Sequence, residues 1–501
     1  MKIFIATVSN SIIREIVDLN REINDEFNNI LEIKLFSVDR YVNNEKVINM
    51  VKYMNEADFI IFDLMGANHE ISEYLYSNYN NKNNVISIGG ENREIMGLTK
   101  LGGFCIRDLK EAMGDKKLSM DDMKTMMIGK KPSMKQMTSM MSMKAMISMC
   151  LKGFNMKDMK NYKTLLNYWK SGTKEDIRNL FYLILKEYGG HKSLPKLENP
   201  KLIENTTICR PEDKKTYENY DEYKNENKFD ESKPNIVILF YSHNYPNKTH
   251  KCVGEIKAKF EKIANIIPIA FPGAAVERGE ELKNILMNLG LKINLFINFM
   301  PFRFTQGPMG GDADSGVNLL KDFNVPIIHP FFMNKKYVDE WIDSVEGLNG
   351  MEFLINVMLP ELDGCIDLLP IGAMKKISKD NELEVVINEL TIIDDRCEKV
   401  VEMAKNLINL QIKSNNEKKI AIIGYNYPPR EGNIFGGALL NTCESISNIL
   451  KFMKLQGYST KEIEAKELIN SFTNEFINSP RWKEYNKNSE IIKYNKNNYD
   501  E

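Results

Sequence analysis

The chain has 501 residues, enough for about three domains of roughly 150 residues each, and its 43% hydrophobic and 27% charged residues are the balance of a soluble globular protein. Its 67 basic and 69 acidic residues leave a formal net charge of -2, which excludes a polybasic nucleic-acid binder as the default reading. No run approaches the roughly 18 apolar residues of a membrane span. The opening Met1-Lys2-Ile3-Phe4-Ile5-Ala6-Thr7-Val8 is strand-like and has no cleavage site, so no signal peptide is expected. The cysteines (Cys105, Cys150, Cys209, Cys252, Cys365, Cys397 and Cys443) are scattered, with no Cys-x-x-Cys pair. That pattern argues against a thiolate zinc site or disulfide framework and for a reducing cytoplasm.

Residues 1–105 alternate short apolar runs with helical periodicity. Runs at 3–8, 33–36, 59–62 and 85–88 predict buried strands, and Ile12, Ile13, Ile16, Val17 and Leu19 mark a helix. Buried strands separated by helices predict an open parallel sheet. Loops at 65–70 and at Gly89-Gly90-Glu91 fall at strand carboxyl ends, where ligands bind in such sheets. Residues 106–190 change character: 14 of the chain's 28 methionines lie between 111 and 160. Unbranched residues favour helix, and the segment reads as a loosely packed helical insertion. A firmer helix pair follows, over 162–170 and 174–188, broken at Gly172.

Residues 191–233 are polar and read as an exposed linker. A second α/β block spans 234–375, with strands expected at 236–241, 266–271, 293–299 and 325–329. A helical pattern over about 383–413, within a connecting segment 376–415, leads to a third block at 416–483. That block opens with a strand at 419–425, carries a helix from about 441 to 456 and is an incomplete sheet on its own. The tail 484–501 is rich in Asn, Lys and Tyr and reads as disordered. The fold class expected is therefore α/β and multidomain, with several open parallel-sheet, Rossmann-like blocks and a Met-rich helical insertion.

No phosphate-cradling motif is present. The nearest Gly-rich turn, 311–316, continues Val317-Asn318 and lacks the Lys of a P-loop, so any ATP must be bound by another polypeptide. Asp312-Ala313-Asp314 resembles half a calcium loop, without the glutamate at its twelfth position. Two histidines fall at expected strand ends, His243 and His329, and both emerge at the carboxyl edge of the second sheet. Two acidic turns stand out. Leu359-Pro360-Glu361-Leu362-Asp363-Gly364 brings two carboxylates together, and Tyr427-Pro428-Pro429-Arg430-Glu431-Gly432-Asn433 adds another beside a flexible glycine. Both compositions also make turns without any ligand.

At these motifs the chain resembles the large subunit of cobaltochelatase and the H subunit of magnesium chelatase. Leu166-Asn167-Tyr168-Trp169-Lys170-Ser171-Gly172, with Asp176-Ile177-Arg178-Asn179-Leu180, is similar to that family's Tyr-Trp-x-x-Gly helix pair. Trp341-Ile342-Asp343-Ser344, Gly347-Leu348 and the Pro-Glu-x-Asp-Gly turn at 360–364 resemble a second segment. Lys418-Lys419-Ile420-Ala421-Ile422, the Pro-Pro-x-x-Gly-Asn loop ending at Asn433, and the helix over 445–455 with Gly457-Tyr458 resemble the next two. The resemblance runs over most of residues 1–480. It implies a tetrapyrrole metal chelatase subunit that binds a corrinoid or porphyrin for ATP-dependent insertion of cobalt or magnesium, as in the making of a cobalamin-type cofactor.

It also implies partners: ATPase subunits that bind the ATP, the divalent metal as substrate, and a C-terminal large-subunit fragment. The family's members are more than twice as long, and their His-Gly-x-x-Glu segment has no counterpart here, since no His-Gly dipeptide occurs. The expectation is the N-terminal portion of such a subunit, cytoplasmic and inactive alone. His243, His329, Glu361, Asp363, Glu431 and Asn433 are its candidate substrate-binding residues. A non-catalytic tetrapyrrole- or metal-binding protein, or an inactive remnant of the family, is the alternative.

Overall fold

The computed structural model describes residues 1–38, 44–64, 66–80, 83–88, 93–108, 155–227, 229–243, 248–272, 279–303, 314–424, 435–437 and 439–474. Residues 109–154 of the Met-rich stretch, the glycine pair at 89–90, the turn holding Glu431 and Asn433, and the tail lie outside these residues. The chain forms two compact units, Met1–Lys405 and Asn406–Glu501.

The first sheet of unit 1 is built from β1 (Lys2–Thr7), β2 (Glu32–Ser37), β3 (Phe59–Asp63), β4 (Asn84–Ser87), β5 (Lys100–Leu101) and β6 (Phe104–Cys105). Its order is β2-β1-β3-β4-β5-β6, parallel from β2 to β4 and antiparallel at the β5–β6 edge. Successive side chains of a strand point to opposite faces. Ile3 and Ile5 accordingly enter one core with α1 (Ile13–Phe27), while Phe4 and Ala6 enter another with residues of α2 (Asn44–Glu56), α3 (His69–Ser77) and α4 (Arg93–Gly97). The helix pair read at 162–188 is present as α5 (Met156–Ser171) and α6 (Lys174–Glu187), separated by Gly172 in the left-handed region. Its Leu165, Trp169, Ile177 and Phe181 join α1 over the first sheet.

The second sheet contains β7 (Thr207–Cys209), β8 (Thr216–Tyr217), β9 (Asn235–Tyr241), β10 (Asn265–Phe271), β11 (Leu295–Asn298), β12 (Ile327–Tyr337), β13 (Asp367–Asp380) and β14 (Val385–Ile392). The order is β14-β13-β12-β11-β9-β10-β7-β8, with a parallel centre and antiparallel edges. Its helices are α7 (Tyr220–Glu226), α8 (Thr249–Phe260), α9 (Gly279–Asn288), α10 (Ser315–Phe323) and α11 (Val338–Asp343), followed by one helical run. That run comprises α12 (Gly350–Phe353), a π-helical segment (Leu354–Met358) and α13 (Leu359–Leu362). The fold is α/β with two mixed sheets.

Three local expectations are corrected. The polar stretch 191–233 is no exposed linker: it supplies β7, β8 and α7. Its Ile208, Cys209, Tyr217 and Tyr223 are buried, and the Tyr223 hydroxyl donates to the Ile266 carbonyl at 3.0 Å. The helical pattern over 383–413 begins as a strand. Val385, Val386, Ile387, Thr391 and Ile392 are β-branched and suit a pleated surface, so helix α14 (Asp394–Ile412) starts only after β14. Of residues 419–425, expected as a strand, the described 419–424 form none, and Ile420, Ile422 and Ile423 are exposed. The described part of the second unit contains the end of α14, helices α15 (Thr442–Leu455) and α16 (Ala465–Asn474), and no strand.

The role of 207–226 in the sheet can be measured. Tyr223→Ala is expected to destabilise the chain by about 3–5 kcal/mol, as for other buried aromatics, and Tyr223→Phe by about 1–2 kcal/mol through the lost hydrogen bond. Urea unfolding checks both; an unchanged midpoint for Tyr223→Ala would mean a dispensable linker.

Candidate functional site at the carboxyl edge of the second sheet

In an open parallel sheet the ligand crevice lies where the strand order reverses. From β9 the chain passes to β10 on one side and later to β11 on the other. The carboxyl ends of β9 and β11 therefore flank the switch point, and Ser242-His243 and Asn298–Arg303 leave the sheet there. His243 is half-buried beside this edge.

His329 lies on the neighbouring β12, one residue past Ile328, which pairs with Ile297 of β11; the strand expected to end at His329 continues to Tyr337, so the histidine sits near its start. It has no exposed surface and its ring stacks near Phe331. Its Nδ1 is 2.7 Å from the Asn298 carbonyl oxygen, which can only accept, so Nδ1 carries the proton of the neutral ring. Nε2 makes no hydrogen bond of ordinary geometry, and neither does Nδ2 of buried Asn356. Burial pushes the His329 pKa down to about 4, against the weaker opposing pull of the Asn298 and Asn356 backbones. The Asn298 side chain reaches the Cys365 thiol at 3.4 Å and accepts from the Met300 amide at 2.9 Å.

Asp363 sits beneath the same edge with no exposed surface. Arg303, itself buried, donates to its Oδ1 from Nε at 2.8 Å and from Nη2 at 2.5 Å, and Nη2 also reaches Ser315 Oγ at 3.3 Å. A charge so deeply buried needs such a partner. The pair ties the loop after β11 to the turn before β13 and to the start of α10. Gly316 makes this approach possible, since a Cβ there would stand 2.6 Å from Asp363 Oδ1 and 2.7 Å from its Cα. Glu361, two residues away, is exposed. The structure thus gathers His329 and Asp363 into one buried polar layer with Asn298, Arg303, Asn356 and Cys365, and leaves Glu361 on the surface. Glu431 and Asn433 lie outside the described residues.

Arg303, Asn298 and Asn356 were not singled out from the sequence. The available signal was positional: Asn298 and Arg303 end and follow a strand at the switch point. No group of three His, Cys, Asp or Glu side chains that could hold a metal occurs among the described residues.

The first sheet presents its own carboxyl edge to the second. Its switch point lies between β1 and β3, where the Thr7 hydroxyl donates to buried Asp63 at 2.6 Å. Residues just past β1 meet elements of the second sheet: Asn10 accepts from Asn388 on β14 at 3.3 Å, Arg14 pairs with Glu389 at 2.7 Å, and Glu15 pairs with Lys248 at the start of α8. An open groove of about 690 Å³ lies between α1 and the β13–β14 turn, but its rim is charged, with Arg21 paired to Asp380 and Glu382.

Two measurements follow from this geometry. Arg303→Ala removes the guanidinium from buried Asp363 and is expected to cost about 3–5 kcal/mol, part of which Arg303→Ala/Asp363→Ala recovers. Acid should also unfold the chain through its buried histidines. An unfolded imidazole binds its proton near 6.5, whereas His329 binds it near 4 and His250, likewise desolvated, near 3. The stability from keeping them neutral is complete above pH 6.5 and is lost as pH falls through the window down to 4 and 3. The slope is about 1.4 kcal/mol per pH unit per histidine. Chemical denaturation across pH 4–7 should show a shallower slope, by one proton, in His329→Gln.

No helix among the described residues is long and apolar enough to cross a membrane. Residues 166–501 match the family model described as CobN/Magnesium Chelatase. The magnesium-chelatase H subunit of Chlorobaculum parvum is 26% identical over 447 residues, covering 85% of this chain and 32% of that protein. An uncharacterised protein of Methanocaldococcus jannaschii is 34% identical over 283 residues, 53% of this chain and 22% of its own length. The aerobic cobaltochelatase subunit CobN of Pseudomonas aeruginosa is 35% identical over 127 residues, 25% of this chain and 10% of that one. Among solved structures, the catalytic subunit of cobaltochelatase from Mycobacterium tuberculosis aligns over 91% of this chain and 31% of its own, with a TM-score of 0.45 and 14% identity. The chain spans a third or less of the length of these relatives. With two thirds of its residues inside the family model, the chain belongs to the CobN/magnesium chelatase family.

Proposed function

We propose that this chain is the N-terminal portion of a tetrapyrrole metal chelatase large subunit and that it binds a corrinoid or porphyrin for insertion of cobalt or magnesium. The observation that carries this reading is the family match over 166–501, which contains the whole switch-point edge of the second sheet. Insertion must strip water from a divalent ion, take two protons from pyrrole nitrogens and hold the ring while the ion enters. A macrocycle site is mostly apolar with a few placed polar groups. His243 and Glu361 are the proposed contacts among the described residues, as a proton acceptor and a carboxylate at the rim, with Glu431 and Asn433 as further proposed contacts. His329 and Asp363, which have no exposed surface, serve as positioning residues: one fixes the end of β11, the other fixes the loop that follows it. ATP binding is assigned to separate ATPase subunits, since no P-loop occurs in the sequence. The remaining family segment is assigned to a further polypeptide or a continuation of this one, and the setting to the cytoplasm.

Titrating the purified chain with a metal-free porphyrin or corrinoid tests the reading. A saturable shift of the macrocycle absorbance is expected, weakened about tenfold or more by His243→Ala with folding intact. No metal should enter the ring when cobalt or magnesium and ATP are added to the chain alone. Absence of any shift with either macrocycle overturns substrate binding, and turnover by the chain alone overturns the division of labour.

A further inference from the structure

The helical run 350–362 is inside out. Its buried positions are Glu352, Asn356 and Pro360, continued by Asp363 in the turn beyond, whereas Met351, Phe353, Met358 and Leu362 are 45–52% exposed. Spacings of three and four residues place positions 352, 356, 360 and 363 along one side, with 351, 358 and 362 along another. The buried side is held by polar bonds: Glu352 accepts from the Asn334 and Lys335 amides at 2.9 and 3.0 Å, and Asp363 accepts from Arg303. Close by in the sequence, Ile342 at the end of α11 and Val345 and Ile366 in the segments on either side are 66%, 102% and 70% exposed. Seven of the twelve exposed large hydrophobic residues described in unit 1 therefore fall within residues 342–366. Single exposed apolar side chains are ordinary, but a concentrated patch marks an interaction surface.

We infer that this face, formed by Met351, Met358 and Leu362 with Ile342, Val345 and Ile366 nearby in sequence, docks an apolar surface of the family polypeptide that lies outside the region matched here. The occupant follows from length. Relatives carry the matched region inside chains of which it makes up 32% and 22%, so the same elements there adjoin two or more times as much further protein. The patch also lies wholly within the matched residues 166–501. The inference rests on the chelatase reading for the identity of that polypeptide, whether it is joined to this chain or separate.

The test uses the full chain in its own cells, with the photo-cross-linking residue benzoylphenylalanine placed at Met358 or Leu362 and, as a control, at Met287, an exposed methionine on α9. Cross-linked peptides are expected from the family segment outside the matched region for the first two positions and not for the third. Cross-links to a second copy of residues 1–501, to unrelated proteins, or to nothing overturn the proposal. In a second arm, the purified chain and its Met358→Glu variant are titrated with a metal-free porphyrin. Loss of the absorbance shift by tenfold or more in the variant, with its circular dichroism unchanged, would give the face to the macrocycle and overturn the docking inference while leaving the chelatase reading intact. Cross-links as expected with no porphyrin shift in either protein would leave the interface standing and remove the substrate.

Discussion

A parallel sheet must be covered on both faces, because its strands are apolar on both and any backbone left bare needs a partner. Much of unit 1 can be read from that requirement. The first sheet is covered by α1 together with the α5–α6 pair on one face and by α2, α3 and α4 on the other. The sequence separation between β6 and α5 does not matter to the packing: Trp169, Phe181 and Ile184 are as much part of the N-terminal core as Ile5. In the second sheet, antiparallel strands flank the parallel centre, the short β7 and β8 on one side and the eight-residue β14 on the other.

The same requirement concentrates polar chemistry at the carboxyl edges. Once the faces are sealed, the strand ends are where loops can hold buried polar groups. Both sheets use them so, with Thr7 and Asp63 in the first, and Asn298, His329, Arg303 and Asp363 in the second. Within that layer the Arg303–Asp363 pair sets the position of the turn before β13. A buried guanidinium and carboxylate cannot separate without leaving an unpaired charge in the interior, so the helical run leading into that turn keeps its polar side inward. The apolar side then has no place in the core of unit 1. The inverted burial of 350–362 accompanies the ion pair and the Glu352 bonds, which hold its polar side inward.

The fold class and most central strands were legible in the sequence. The runs at 3–8, 33–36, 59–62, 85–88, 236–241 and 266–271 are continuous apolar stretches bounded by polar residues, and a buried parallel strand leaves that mark whatever surrounds it. The membership of 166–501 in a family was legible through motifs such as Pro360-Glu361-Leu362-Asp363-Gly364 and Trp169 ahead of Gly172, because spaced residue identities survive where overall identity is low. The position of His243 just past β9 followed from the same runs, whereas β12 runs on to Tyr337, so His329 is its third residue and not its end.

Tertiary structure alone decided how the remaining residues are used. β7 and β8, at one end of the sheet, are two or three residues long and bury only a few side chains, so local composition reads as linker although Tyr217 and Tyr223 are core. β14 and α14 share one apolar pattern, and only pairing with β13 separates them. The isoleucines at 420, 422 and 423 carry the pattern of a strand, but a strand exists only when another pairs with it, and none does among the described residues. Likewise nothing in the sequence distinguishes Asp363 from Glu361, two carboxylates of one turn. Arg303, brought in from 60 residues away, buries the first and leaves the second to solvent. The sequence by itself determined where apolar runs end and polar turns begin, because burial acts residue by residue. Which of those turns meet, and which of their charges stay open to a ligand, was decided by contacts between segments far apart in the chain.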